Sequence, residues 1–246
     1  AQRPDGSLWQ RSIAELCDRR YGVGADGLML LEASQEYDFR MVYFNSDGSG
    51  GMMCGNGGRC IVAFAADCGL EHFDFDAADG FHTAEILAVE DGVKVVRLKM
   101  KDVSDVAVYD EVSYRLDTGT KHLVRFVGGL ESYDVVGKGR ELRYRGDFAP
   151  IGTNVNFVEP KDGMLAVRTY EKGVEDETYA CGTGIVASAI SAFARGVAPS
   201  RVEGERVSYD IKALRDRLSV DFTGELPLIK DVWLTGPAQK VAVIYI

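Results

Sequence analysis

The 246-residue chain has no C-x-x-C pair and only three histidines, and no apolar run nears the roughly 20 residues that a membrane-spanning helix needs. Its cysteines, at 17, 54, 60, 68 and 181, are an odd number in a long chain. Neither a secreted disulfide framework nor a zinc cluster is therefore expected, and a reducing cytosol fits. Basic charge is also short: 28 Lys and Arg face 38 Asp and Glu, a net charge of −10, which argues against a nucleic-acid backbone as partner. The Gly-Lys-Ser/Thr run of a nucleoside-triphosphate loop is missing. No signal-peptide pattern opens the chain. It begins at Ala1 rather than Met, so an N-terminal piece is expected to be missing. What remains is an acidic globular chain, 46% hydrophobic and long enough for one large domain or two small ones.

Two short segments of this chain read almost alike. Met53-Cys54-Gly55-Asn56-Gly57-Gly58 and Ala180-Cys181-Gly182-Thr183-Gly184-Ile185 each set a cysteine and two glycines before an apolar, alanine-rich helical stretch. Their surroundings repeat too. A hairpin is predicted over 28–32 and 37–44, then a loop 45–51, then Cys54 and a helix ending near Gly69. Strands over 154–159 and 164–170, a charged loop, Cys181 and a helix ending near Gly196 give the same order. Each helix is followed by a further hairpin, over 85–90 with 93–100 and over 207–211 with 218–223. Duplication accounts for this most simply. Both helices are apolar nearly all round, so each is expected to be buried on most sides. The reading is an α/β (α+β) chain of two halves, each a curved sheet around one helix, meeting at a cleft.

A helix N-terminus carries unsatisfied N–H groups and about half a positive charge. Both stabilise a thiolate, and neighbouring glycines let a carboxylate approach the backbone. Two such thiols flanking one carbon would repel as anions, so one keeps its proton. The pair is then a base and an acid on opposite faces of a stereocentre, which suits racemisation or epimerisation. The alternative, two ordinary buried cysteines, is disfavoured by the duplicated context. That alternative does describe Cys17, Cys60 and Cys68, which lack the context.

Other motifs carry less. Gly22-Val23-Gly24-Ala25-Asp26-Gly27 matches G-x-G-x-x-G, but a predicted helix over 7–20, with Ser7 as its cap and Leu8, Ile13, Leu16 and Cys17 as apolar members, precedes it. A strand follows it, which is the reverse of a dinucleotide site. His122, in Thr118-Gly119-Thr120-Lys121-His122, stands in a turn entering a strand and reads as structural.

The two cysteine motifs, together with Arg20-Tyr21-Gly22-Val23-Gly24-Ala25-Asp26-Gly27, Asn45-Ser46-Asp47-Gly48-Ser49, Gly152-Thr153-Asn154-Val155-Asn156-Phe157 and Leu234-Thr235-Gly236-Pro237-Ala238, resemble the diaminopimelate epimerase family. The resemblance covers nearly the whole chain. The related proline racemases usually carry His where Asn56 stands, so Asn56 favours the epimerase. It implies two pseudo-symmetric halves, each a β-barrel-like sheet around a central helix, over 1–102 with a final strand 240–246 returning to it (239–246 in all), and over 103–238. It implies a cytoplasmic enzyme that works without pyridoxal phosphate or metal, a small amino-acid substrate, no nucleic acid or membrane partner, and a possible homodimer. It implies Cys54 and Cys181 as acid/base residues. Gly55, Asn56, Gly182 and Thr183 would hold the amino and carboxylate groups at the reacting centre. Asn45, Asn156, Glu171 and the adjacent cation Lys172 would hold the distal end, with turn-capping amides as the alternative for Asn45 and Asn156.

The sequence departs from the family in four places. The family's opening Gly-Asn-Asp-Phe motif has no match. Lys172 replaces the usual arginine, offering a point charge in place of a fork. The loop Val174-Glu175-Asp176-Glu177 is one residue longer than in some relatives. Thr120-Lys121-His122 replaces the common Asn-Pro-His. The rival readings are a proline- or hydroxyproline-type racemase of the same fold and a non-catalytic thiol redox protein.

Overall fold

The computed structural model describes residues 6–51 and 54–245, with side chains from residue 11 onward. The chain forms two compact units, Ala1–Val96 with Ala238–Ile246, and Arg97–Pro237.

In the first unit, α1 (Gly6–Cys17) leads into the antiparallel hairpin of β1 (Gly27–Glu32) and β2 (Phe39–Asn45), paired from Gly27–Asn45 to Glu32–Arg40. Helix α2 (Gly55–Asp67) then carries the chain to β3 (Asp74–Ala77), which lies parallel to β2. A helix is the usual way to make such a parallel return. β4 (Gly80–Glu90) and β5 (Val93–Lys99) complete the order β1-β2-β3-β4-β5. The β4–β5 turn uses Asp91 at φ 50° and Gly92 at φ 78°, the two positive values that a type I′ hairpin demands. Phe39 stacks on Phe75 with ring centres 4.8 Å apart. Ile61, Val62 and Ala65 of α2 join them in the core.

The second unit repeats this order inside a larger sheet. Strands β6 (Val106–Asp110), β7 (Ser113–Asp117) and β8 (Lys121–Phe126) precede α3 (Val135–Arg143). The hairpin β9 (Asn154–Lys161) and β10 (Met164–Glu171) follows, with β11 (Asp176–Thr178) folding back on β10. Helix α4 (Gly182–Ala194) leads through β12 (Arg201–Glu203) to β13 (Arg206–Lys212), which is parallel to β10 as β3 is to β2. β14 (Arg217–Glu225) and β15 (Leu228–Gln239) complete the order β15-β14-β13-β10-β9-β8-β7-β6. Helix α4 is wrapped by β7, β8, β9, β10 and β14. Its apolar residues from Ile185 to Ala192 are at most 1% exposed, so it is a central helix in the full sense. The expected α+β class is the one observed: sheet dominates, α2 lies against β1 and β4, and α4 is enclosed by strands of the second unit.

The helices end where glycine allows. Gly69 at φ 93° follows the cap residue Cys68 of α2, and Gly196 at φ 77° follows Arg195 of α4.

Three local expectations are corrected. Helix α1 stops at Cys17, short of the predicted 20, because Asp18 Oδ1 accepts from Arg20 N and Tyr21 N at 2.7 Å each. That side chain takes the backbone donors a continuing helix would use. The side chains of Ser7 and Leu8 lie outside the described residues. Helix α2 is buried on most sides, yet Cys60, Phe64 and Cys68 (one i, i+4, i+8 line) are exposed, so Cys60 and Cys68 are not buried thiols. Residues 240–245 belong to the first unit but join no strand, and Val241 and Tyr245 are more than nine-tenths exposed. The family resemblance implied a final strand here, but β15 ends at Gln239 and the described backbone beyond it has no ladder partner.

Candidate active site

Both motif cysteines are N-cap residues. Cys54 stands before α2 in extended conformation, φ −124° and ψ 157°, and its Sγ accepts from the N–H of Gly57 at 3.3 Å. A cysteine there does what serine or aspartate does at most helix starts, receiving a backbone N–H that has no intrahelical partner. Gly57 leaves room for this: a Cβ on it would sit 3.5 Å from that sulfur and 3.3 Å from Met41 Cε. Cys54 is exposed. Gly55, the first residue of α2, is buried, and Asn56 is exposed with its Oδ1 accepting from Arg59 Nη2 at 3.1 Å. Asn45 ends β2. Its Nδ2 donates to Ser49 Oγ at 3.0 Å, closing the turn over 45–49.

Cys181 stands before α4 in the same manner, φ −107° and ψ 111°, but is 7% exposed and makes no side-chain cap bond. Its Sγ lies 3.4 Å from Thr183 Oγ1. Thr183 is the centre of a polar cluster made by the β7–β8 turn and strands β8 and β9 beneath the helix start. Its Oγ1 is 3.0 Å from His122 Nε2 and 3.1 Å from Thr120 Oγ1, and its carbonyl accepts from Thr118 Oγ1 at 2.9 Å.

The proton inventory of this cluster is fixed by Asn156. That residue is fully buried, its Oδ1 accepts from Thr169 Oγ1 at 2.9 Å, and its Nδ2 donates to His122 Nδ1 at 3.0 Å. An imidazole that accepts at Nδ1 and is neutral carries its proton on Nε2. Neutrality is enforced by complete burial and then by the Lys172 ammonium, which together hold the His122 pKa down to about 3. Nε2–H therefore points at the hydroxyls of Thr120, 2.9 Å away, and Thr183. With the imidazole donating to the hydroxyl pair, the Thr183 hydroxyl can donate to Cys181 or to Thr120. Gly184 is required by the same packing, since a Cβ there would sit 2.2 Å from Asn156 Oδ1.

Lys172 follows the last residue of β10, Glu171, and its N–H donates to Asn154 Oδ1 at 2.8 Å. The loop that follows is tied down by carboxylates. Glu175, at φ 58°, accepts from Gly173 N, Tyr144 Oη, Tyr170 Oη and Arg143 Nη2 at 2.9–3.2 Å. Glu177 receives a two-pronged bond from Arg168 at 2.6 and 2.7 Å.

In the second unit, then, the fold brings Thr183 and Asn156 onto one buried imidazole, with Cys181 beside Thr183 and the Lys172 charge acting on the ring. In the first it brings Cys54, Gly55 and Asn56 to one helix start, with Asn45 on the turn after β2. Sequence reasoning missed the link of His122, Thr118 and Thr120 to the second cysteine. Their one shared signal was a dense polar run, Thr118 to His122, entering an otherwise apolar strand. Among the described residues, no group of three or more His, Cys, Asp or Glu is placed to hold a metal ion, and no helix is long and apolar enough to cross a membrane.

Known proteins resemble this chain in sequence and in fold. The family model described as diaminopimelate epimerase matches residues 3–103 and 114–223. The diaminopimelate epimerase of Flavobacterium psychrophilum is 41% identical over 232 residues, 93% of this chain and 86% of the relative. That of Chlorobaculum tepidum is 39% identical over 244 residues, 96% and 90% of the two chains. Among solved structures, a PhzF-family phenazine biosynthesis protein of Bacillus anthracis superposes with a TM-score of 0.71 at 13% identity, covering 98% of this chain and 90% of its own. A hydroxyproline epimerase from Agrobacterium vitis gives 0.63 at 16% identity, covering 98% and 84%. These two likenesses are of fold. The sequence matches go further: the chain belongs to the diaminopimelate epimerase family.

Proposed function

We propose that Cys54 and Cys181 are the acid and base with which this epimerase interconverts LL- and meso-diaminopimelate. One thiolate removes the α-hydrogen as a proton, and the electron pair left on carbon delocalises into the α-carboxylate. The other thiol delivers its proton to the opposite face of the planar carbon. The configuration inverts, nothing is oxidised or reduced, and the two sulfurs end with exchanged protonation. The observation that carries this reading is that both motif cysteines cap the N-terminus of a helix. There the helix dipole and backbone N–H groups favour a thiolate and an adjacent carboxylate. The donors that strengthen as charge develops on the substrate carboxylate are those at the two helix starts, each contributing about 3 kcal/mol when well aimed.

In this reading Gly55, Asn56, Gly182 and Thr183 hold the reacting amino acid end, and Thr183 also serves Cys181 as hydrogen-bond donor. Asn45, Glu171 and Lys172 address the distal amino acid end; Asn156, expected there too, is fully buried with its amide on Thr169 and His122, and supports the site through His122. Free thiols of this kind suit a reducing cytosol. The experiment is α-proton exchange: the complete, reduced protein incubated with LL-diaminopimelate in D₂O should place deuterium at the α-carbon while meso product accumulates. No deuterium at that carbon would end the proposal. Exchange with proline or hydroxyproline in its place would favour the racemase of the same fold.

A further inference from the structure

The two motifs share a frame but differ five residues after the cysteine. In the second, that position is Val186, 0% exposed, an ordinary core residue of α4. In the first it is Arg59, 5% exposed. A guanidinium is rarely buried so deeply, because removing it from water is costly unless its N–H groups are taken up. Here two of its three nitrogens are taken up: Nη1 donates to the carbonyl of Gly55 at 3.1 Å and Nη2 donates to Oδ1 of Asn56 at 3.1 Å. Both partners are motif residues within one turn of Cys54.

We infer that Arg59 is the positioning residue for Asn56, fixing which end of its amide faces a bound substrate. An asparagine amide has an acceptor end and a donor end of nearly the same shape. A cation beside it selects the orientation with Oδ1 toward the guanidinium and the NH₂ group turned the other way. The flipped orientation would set N–H against N–H and present the carbonyl oxygen to an anion. A substrate carboxylate at the helix start needs donors, so Arg59 supplies the correct amide polarity before substrate arrives. The second unit solves the equivalent task differently. Thr183, like Asn56 two residues after its cysteine, is oriented by neutral His122 from a neighbouring strand. In the first unit the orienting group is cationic and comes from the same helix.

This inference rests on the proposed role of Asn56 in binding substrate, and the test separates the two. Exchange kinetics with LL-diaminopimelate would be measured for Asn56→Ala, Arg59→Met, Arg59→Lys and the Asn56→Ala/Arg59→Met pair, with folding checked by circular dichroism and thermal melts. Arg59→Met should raise KM about tenfold, the loss of one well-placed bond to a charged group, with a much smaller change in kcat. In the Asn56→Ala background the same substitution should add almost nothing to KM, because its route of action is already gone. Arg59→Lys keeps the charge without the fork and should raise KM in the same direction, which secures the test if the Met variant does not fold. A KM unchanged in folded Arg59 variants, or a full multiplicative effect in the double variant, overturns the inference. An unchanged KM in Asn56→Ala removes Asn56 from substrate binding and takes the inference with it, while leaving the two-thiol chemistry standing.

Discussion

Replacing Thr183 by valine removes one hydroxyl and keeps the side chain's shape. That hydroxyl lies 3.4 Å from Cys181 Sγ, 3.0 Å from His122 Nε2 and 3.1 Å from Thr120 Oγ1. His122 retains an acceptor in Thr120 at 2.9 Å, so the imidazole is not orphaned. Global stability should therefore fall by only about 1 kcal/mol, the net worth of an ordinary hydrogen bond. In the proposed mechanism the effect on Cys181 is larger, because there the lost donor faces a sulfur that carries charge. Hydrogen bonds to charged groups contribute about 1.5–3 kcal/mol, so the thiolate fraction at a given pH should drop at least about tenfold. The sign follows directly: the anion loses a stabilising partner, so its pKa goes up and reactivity moves to higher pH. The assay is the rate of Cys181 alkylation by iodoacetamide as a function of pH, with the modified peptide quantified by mass spectrometry. Thr183→Ser should restore the profile. Superimposable profiles for the wild type and Thr183→Val would refute the donor assignment and the hydrogen-bond order from Asn156 through His122.

Two further outcomes are expected. Gly184→Ala drives a Cβ to 2.2 Å from Asn156 Oδ1, so the melting temperature should fall by several degrees and activity should drop with it. Wild-type stability in that variant would show that Asn156 moves aside freely. His122 is held neutral with its pKa near 3 by burial first and Lys172 second, against about 6.5 in the unfolded chain. Because the unfolded state binds the extra proton, this neutral histidine's stability contribution is present above pH 6.5 and is lost as pH falls toward 3. His122→Gln should flatten the pH dependence of urea unfolding across that window. An unaltered acid limb would contradict the assignment.

The parts legible in the sequence were those fixed by local rules. Gly69 and Gly196 stop α2 and α4 because glycine accepts positive φ, and the glycine pairs beside Cys54 and Cys181 marked both helix starts. The repeated hairpin–helix order was equally readable, since each element shows its own period. What sequence reading missed depends on long-range partners. His122 is tied to Asn156 and Thr183, which lie 34 and 61 positions away on other elements, and nothing local to residue 122 announces either. Nothing local to Arg59 signals its burial, because a charged residue on a helix is ordinarily exposed. The reverse error came at residues 240–245, where the family resemblance implied a returning strand but the ladder it needs is not formed.

The central claim is that both thiols act on one carbon, each serving one face. The direct measurement is α-proton exchange and epimerisation by Cys54→Ala and Cys181→Ala, each folded like the wild type. Loss of epimerisation in both variants is the predicted result. Full epimerisation by either would contradict the account.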